Sequence, residues 1–143
     1  MIMAETCHWL IREFQPGDKN KILSDWAFTN RHDSDWRWAP KEAYVGHQRA
    51  VQAILPITDI LVATDPKMPS LIYGWCCAEP DIKLLHMVYV RHDFRRNGIG
   101  SLLMRRMFDG IEPPFRYTHK TKCMRKFGLR AKWDLTKYER DIL

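Results

Sequence analysis

Val88 to Met107 read VYVRHDFRRNGIGSLLMRRM. The first three residues are β-branched or aromatic, which is a strand pattern. The chain then turns basic at Arg91, Arg95 and Arg96, passes Gly98 and Gly100, and from Ser101 carries apolar residues at helical spacing. A helix N-terminus leaves backbone N–H groups without intrahelical partners and adds partial positive charge. Glycine lets the backbone approach a ligand closely. Arg95 to Ser101 is therefore a candidate anion cradle, with phosphate as the expected guest. Two familiar phosphate loops do not fit. No GxxxxGK run is present, and the third position of GxGxxG is Leu103. The alternative is a glycine-eased turn into a helix.

Working outward, LIREFQPGD reads as a strand from Trp9 to Phe14 followed by a Pro-Gly turn, with Asp18 placed to cap the next helix. Ile22, Leu23, Trp26 and Ala27 recur at helical spacing. TNRHDSDWRWAP is a polar loop, and Pro40 starts a second helix over Lys41–Leu55. Ile57–Thr64 and Leu71–Glu79 form an antiparallel hairpin, and Ile82–Val90 is the third strand of the run. Ser101–Gly110 is a helix ended by Pro113-Pro114, and Phe115–Lys120 is a short strand. TKCMRKFGL forms a short helix stopped at Gly128, and RAKWDLTKY is the last strand. The order is βααβββαβαβ, an α/β domain around a mixed sheet flanked by helices. The crossover through 101–110 makes strands 82–90 and 115–120 parallel.

A length of 143 residues suits a single domain over 1–143. No apolar run approaches the roughly 18 residues of a membrane span. MIMAETCHWLIREF lacks the basic and long apolar regions of a signal peptide, so a cytoplasmic protein is expected. Cys7, Cys76, Cys77 and Cys123 form no CxxC, so no metal is expected, and reduced thiols are the plain reading. The net charge of +6 is one-sided: Arg91 to Lys132 holds 12 Lys/Arg against 3 Asp/Glu. Such a field favours an anionic ligand or partner, or is a solvated face.

RRNGIGS is similar to the Arg/Gln-x-x-Gly-x-Gly/Ala loop of the GNAT superfamily of acyl-CoA-dependent N-acyltransferases, with Arg95, Gly98 and Gly100 in the three defining places. VYVRHDF resembles that family's Val-x-Val-x-Pro-x-Tyr/Phe approach, with His92 where proline is common, and WLIREFQPGDKNKIL looks like its first strand and helix. The resemblance implies a GNAT fold and acetyl-CoA as co-substrate, its pyrophosphate on Arg95, Arg96, Asn97, Gly98, Ile99, Gly100 and Ser101. Pantetheine would run along the strand at Val88, Tyr89 and Val90. A backbone N–H near Val88 would stabilise the oxyanion while a primary amine attacks directly.

For the base, strand periodicity puts Leu84, His86, Val88 and Val90 on one face, barring a bulge, and makes His86 the first candidate for base or water relay. A histidine satisfied within the strand is the competing reading. Glu79 is a further candidate, acting through water. The family's usual acid, a tyrosine four residues before a glycine, is replaced by Met124, which leaves Tyr117 or His119 as substitutes. For the acceptor, Asp33 and Asp35 can hold an ammonium, with Trp36 stacking beside them. The second hypothesis is a catalytically weak GNAT-fold module that binds or modifies nucleic acid, or binds a protein partner. THKTKCMRKFGLRAKW mixes cations with aromatics as a phosphate-tracking surface does. A homodimer that completes the sheet edge is also expected.

Overall fold

The computed structural model describes residues 9–32, 40–112, 115–118 and 132–133. Six strands form one sheet in chain order: β1 Leu10–Glu13, β2 Asp59–Thr64, β3 Ile72–Glu79, β4 Leu84–Val90, β5 Arg116–Tyr117 and β6 Lys132–Trp133. β1 to β4 pair antiparallel, while β4–β5 and β5–β6 pair parallel. Helices α1 (Lys19–His32) and α2 (Lys41–Ile54) link β1 to β2, and α3 (Ile99–Met107) links β4 to β5. The mixed, helix-flanked α/β sheet is the one expected. The helix expected in TKCMRKFGL lies outside the described residues.

Two apolar clusters sandwich the sheet. On one face α3 drops Ile99, Leu103, Met104 and Met107 onto Ala63, Cys76, Ala78, Leu85, Val88 and Val90. On the other, Ile22, Leu23 and Trp26 of α1 and Val51 and Ile54 of α2 meet Ile60, Val62, Trp75, Cys77 and Met87. Every residue of β3 is buried, as its nearly continuous apolar run demands. Trp26 and Trp75 pack with ring centroids 5.5 Å apart. The Trp75 Nε1–H donates to Asp25 Oδ2 at 3.1 Å, and Lys21 Nζ lies 2.7 Å from Asp25 Oδ1, so the buried indole has a charged, fixed acceptor. Cys76 and Cys77 are buried, and burial pushes the Cys77 thiol up to about 12, which makes it a poor nucleophile. Among the described residues no helix is long and apolar enough to cross a membrane.

Four expectations change. Asp18 does not cap α1: it ends a 3₁₀ turn, Pro16–Asp18, and points backward. Its carboxylate accepts from Arg12 Nη1 and Nη2 at 2.8 and 2.9 Å and from the Gln15 N–H at 2.8 Å. Burial opposes the charge, but these donors outweigh it and hold the Asp18 carboxyl below its usual range. β4 starts at Leu84, because Pro80–Ile82 form a 3₁₀ turn and Lys83 is left-handed at φ 57°. α3 runs from Ile99 to Met107 rather than from Ser101 to Gly110, since the chain becomes helical directly after Gly98. The last change concerns the faces of β4. Cys77 pairs with Met87 and Ala78 with Leu85, so His86 is the extra residue of a β-bulge. Leu85 and Val88, three residues apart, then share the α3 face, and the simple alternation through Leu84, His86, Val88 and Val90 is broken.

His47, on the buried stripe of α2, meets the Trp26 edge with ring centroids 6.3 Å apart. Burial lowers its pKa to about 4. An unfolded histidine takes up its proton near pH 6.5, whereas this one resists until about pH 4. Stability is therefore fully present above pH 6.5 and falls as pH drops towards 4, by about 3 kcal/mol in total. Thermal unfolding followed between pH 7 and 4 should show that decline, and His47→Gln should flatten it.

Candidate functional site

The bulge decides which backbone groups β4 offers to its open side. The Arg91 N–H donates to the carbonyl of Tyr73, the second residue of β3, at 2.8 Å. Antiparallel alternation then turns Tyr89 and Met87 towards β3, and turns the N–H and C=O groups of Val88 and Val90 the other way. On that other side β5 pairs only with Leu84 and Leu85, and the last backbone bond runs from the Thr118 N–H to the Leu85 carbonyl at 3.1 Å. Past it, no described strand pairs with β4 on this edge. The Val90 carbonyl there accepts from Arg95 Nε at 2.8 Å. The N–H groups of Val88 and Val90 and the Val88 carbonyl line the rest of the edge.

That edge runs directly into the loop. His92–Phe94 form a 3₁₀ turn closed by Phe94 N–H to the Arg91 carbonyl at 2.9 Å. Phe94 stacks on Tyr73 with ring centroids 4.1 Å apart, and the Arg91 guanidinium lies 5.3 Å from the Phe94 centroid. The Tyr73 hydroxyl is fixed in turn by Asp65 at 2.6 Å. Two left-handed residues follow, Arg96 at φ 69° and Gly98 at φ 82°. Arg96 carries about 1–2 kcal/mol of strain for this, and Gly98 meets the demand without it. Gly98 is the N-cap of α3 and makes no side-chain cap. The first intrahelical bond is Leu102 N–H to the Gly98 carbonyl at 3.0 Å, so the N–H groups of Ile99, Gly100 and Ser101 have no intrahelical acceptor. Ile99, the first residue of α3, is buried, while Arg95, Arg96, Asn97, Gly98 and Ser101 are exposed. Asn97 Nδ2 donates back to the Phe94 carbonyl at 3.3 Å. The result is a basic, donor-rich turn on a braced base.

The fork where β5 leaves β4 holds a buried polar set. His86, with no exposed surface, sits between Glu79 Oε2, 2.8 Å from its Nε2, and Thr118 Oγ1, 3.1 Å from its Nδ1. With Nε2–H donating to the carboxylate, Nδ1 is left to accept from the Thr118 hydroxyl. Glu79, by alternation with Trp75 and Cys77, lies on the α1/α2 face of the sheet. Tyr117 instead packs into the α3-side cluster, so it does not join His86. Tyr89 also departs from its expected part: its backbone faces β3, and its ring stacks on Trp75 at 5.9 Å. His119, Asp33, Asp35 and Trp36 lie outside the described residues. Among the described residues no group of three or more His, Cys, Asp or Glu is placed to hold a metal.

Two contributors escape a sequence reading. Thr118 is one residue past Tyr117, and only the three-strand geometry brings it to His86. Gly74 is signalled by its place within a strand. A Cβ there would stand 2.6 Å from the Tyr89 carbonyl oxygen and 3.3 Å from Val90 Cα, so β3 and β4 approach closely where the loop departs.

No protein-family model and no curated protein matches the sequence. Solved structures do match. The apo form of YjaB from Escherichia coli aligns with a TM-score of 0.56 at 14% identity, over 72% of this chain and 66% of that one. The histone acetyltransferase HPA2 and related acetyltransferase from Corynebacterium glutamicum aligns at 0.54 and 16% identity, over 69% of each chain. A GCN5-related glucosamine N-acetyltransferase region in a fungal multidomain β-N-acetylglucosaminidase aligns at 0.50 and 16% identity, over 69% of this chain and 12% of that one. The matched part thus spans just under two thirds of the YjaB chain. The chain has the GNAT fold.

Gly74→Ala should lower stability by about 1–3 kcal/mol through the forced separation of β3 and β4. A drop in Tm with a shifted Tyr89 amide resonance is the expected result.

Proposed function

We propose that this GNAT-fold chain is an acyl-CoA-dependent N-acyltransferase that moves an acetyl group from acetyl-CoA to a primary amine. One observation carries the reading: the backbone edge of β4 that opens past the bulge leads without interruption into the donor-rich N-terminus of α3. An extended amide-bearing arm ending in a pyrophosphate matches that sequence of groups.

In this reading the pyrophosphate takes the N–H groups of Ile99, Gly100 and Ser101, with Arg96 supplying charge and Arg95 tying the loop to Val90. The pantetheine amides pair with Val88 and Val90. The Val88 N–H points into the same opening and polarises the thioester carbonyl, stabilising the oxyanion as the amine attacks. The C–N bond forms, the C–S bond breaks, and the thiolate leaves.

The amine proton passes to the Thr118 hydroxyl, whose own proton moves to Nδ1 of His86, while Glu79 holds the imidazole in the required tautomer. Tyr117, on the α3 side of the fork, or His119 returns a proton to the thiolate. Asp33, Asp35 and Trp36 remain our candidates for holding the ammonium form of the acceptor.

Calorimetric titration with acetyl-CoA should show saturable binding, lost in Gly100→Trp and weakened at least tenfold in Arg95→Ala/Arg96→Ala. Failure of the unaltered protein to bind would overturn the reading. Against a panel of amines, with release of free thiol as readout, His86→Ala should lower kcat by about 10²–10⁴ with little change in the KM for acetyl-CoA. An unchanged kcat/KM between about pH 6 and 9, in a variant whose Tm shows it folded, would remove His86 from the mechanism.

A further inference from the structure

On α2 the residues Lys41, Tyr44, Val45, Gln48 and Arg49 follow the spacing i, i+3, i+4, i+7, i+8. Helical geometry turns this stripe roughly 140° away from the buried one of His47, Ala50, Val51 and Ile54, given about 100° per residue. It faces Ala27 and Arg31 of α1 across a groove of about 410 Å³ on the outer side of the helix pair. That volume is in the range of small-molecule sites.

The charges that the described residues bring to the groove are all of one sign. Arg31, Lys41 and Arg49 line it, and no described carboxylate does. None of the three forms an ion pair with a described residue, whereas the nearest acid of α1, Asp25, is already taken by Lys21 and Trp75. His47 reaches the same groove, but its burial leaves it neutral at pH 7, so it adds a wall without charge. The Arg31 guanidinium lies 5.4 Å from the Tyr44 centroid, which orients it along an aromatic surface.

One group in the groove also lacks its partner. Gln48 Nε2 donates to the Leu23 carbonyl at 3.4 Å, which sets which way the amide points. Its Oε1 is buried with no described donor. A buried acceptor left unmade is costly, so this amide oxygen is a local weak point of the helix pair and takes no part in holding the anion.

We propose that the outer α1–α2 groove binds a small organic anion, its carboxylate or phosphate held by Arg31, Lys41 and Arg49 and its apolar body lying against Tyr44 and Val45. The site is separate from the β4–α3 cradle and does not depend on acyl transfer. Its probes are phenyl phosphate and phenylacetate, with benzylamine as the reverse-charge control, followed by amide and aromatic NMR shifts at about 150 mM salt.

Either anion should give saturable shifts at Tyr44, Val45 and Arg49, and the ratio of the two affinities identifies the preferred head group. The shifts should persist with saturating coenzyme A present. Arg31→Gln/Arg49→Gln should weaken the binding at least tenfold, while Arg105→Gln at the far end of α3 should leave it unchanged. Three results would overturn the proposal: no saturation; equal affinity in the double variant; or displacement by coenzyme A.

Discussion

The extra residue at His86 in β4 sets the geometry of everything downstream. A regular strand would keep its hydrogen-bonding phase, and the edge that meets β5 at Leu85 would be carried unchanged to Tyr89. One inserted residue reverses that phase, so Val88 and Val90 present their backbone to the side from which β5 has already departed. The same insertion turns His86 into a fully buried position between two other strands, where only a hydrogen-bonded histidine is tolerated. Glu79 and Thr118 meet that requirement, and in doing so tie β3, β4 and β5 together at the fork. Backbone opening and buried proton-bearing groups thus share one cause.

The opposite end of β4 is held by different means. Gly74 admits the close approach of Tyr89 and Val90, and the Tyr73–Phe94 stack braces the turn that follows. The strained Arg96 and the left-handed Gly98 then aim the first turn of α3 outward. Strain at such a point persists only because the surroundings over-determine it. Here the surroundings are the buried Ile99 below and the Arg95–Val90 bond beside.

The strand–loop–helix run was legible because its signals are local. Alternation or apolar runs mark strands, 3.6-residue spacing marks α3, and glycines with arginines mark the turn, all within twenty residues. The bulge left no such mark. LLHMVYV is apolar on both faces except for His86, since β4 is buried on both sides, so a change of phase alters no visible pattern. Asp18 shows a related failure: a carboxylate before a helix pattern reads as a cap, yet a guanidinium six residues upstream competes better for it. His86 could be singled out from sequence, but its two partners come from β3 and from the end of β5, and a long-range set of that kind carries no spacing signature. The groove between α1 and α2 was illegible for the same reason, because only the packing of the two helices brings Arg31 together with Lys41 and Arg49.

The central claim is that β4 and the N-terminus of α3 form one continuous binding edge. Amide ¹H–¹⁵N mapping during titration with coenzyme A tests it directly. The account predicts that Val88, Val90, Ile99, Gly100 and Ser101 shift together in one saturable event, with Met87 and Tyr89, held by β3, moving less. Saturable binding that leaves Val88 and Val90 unmoved, or shifts spread evenly over the arginine-bearing surface, would contradict it.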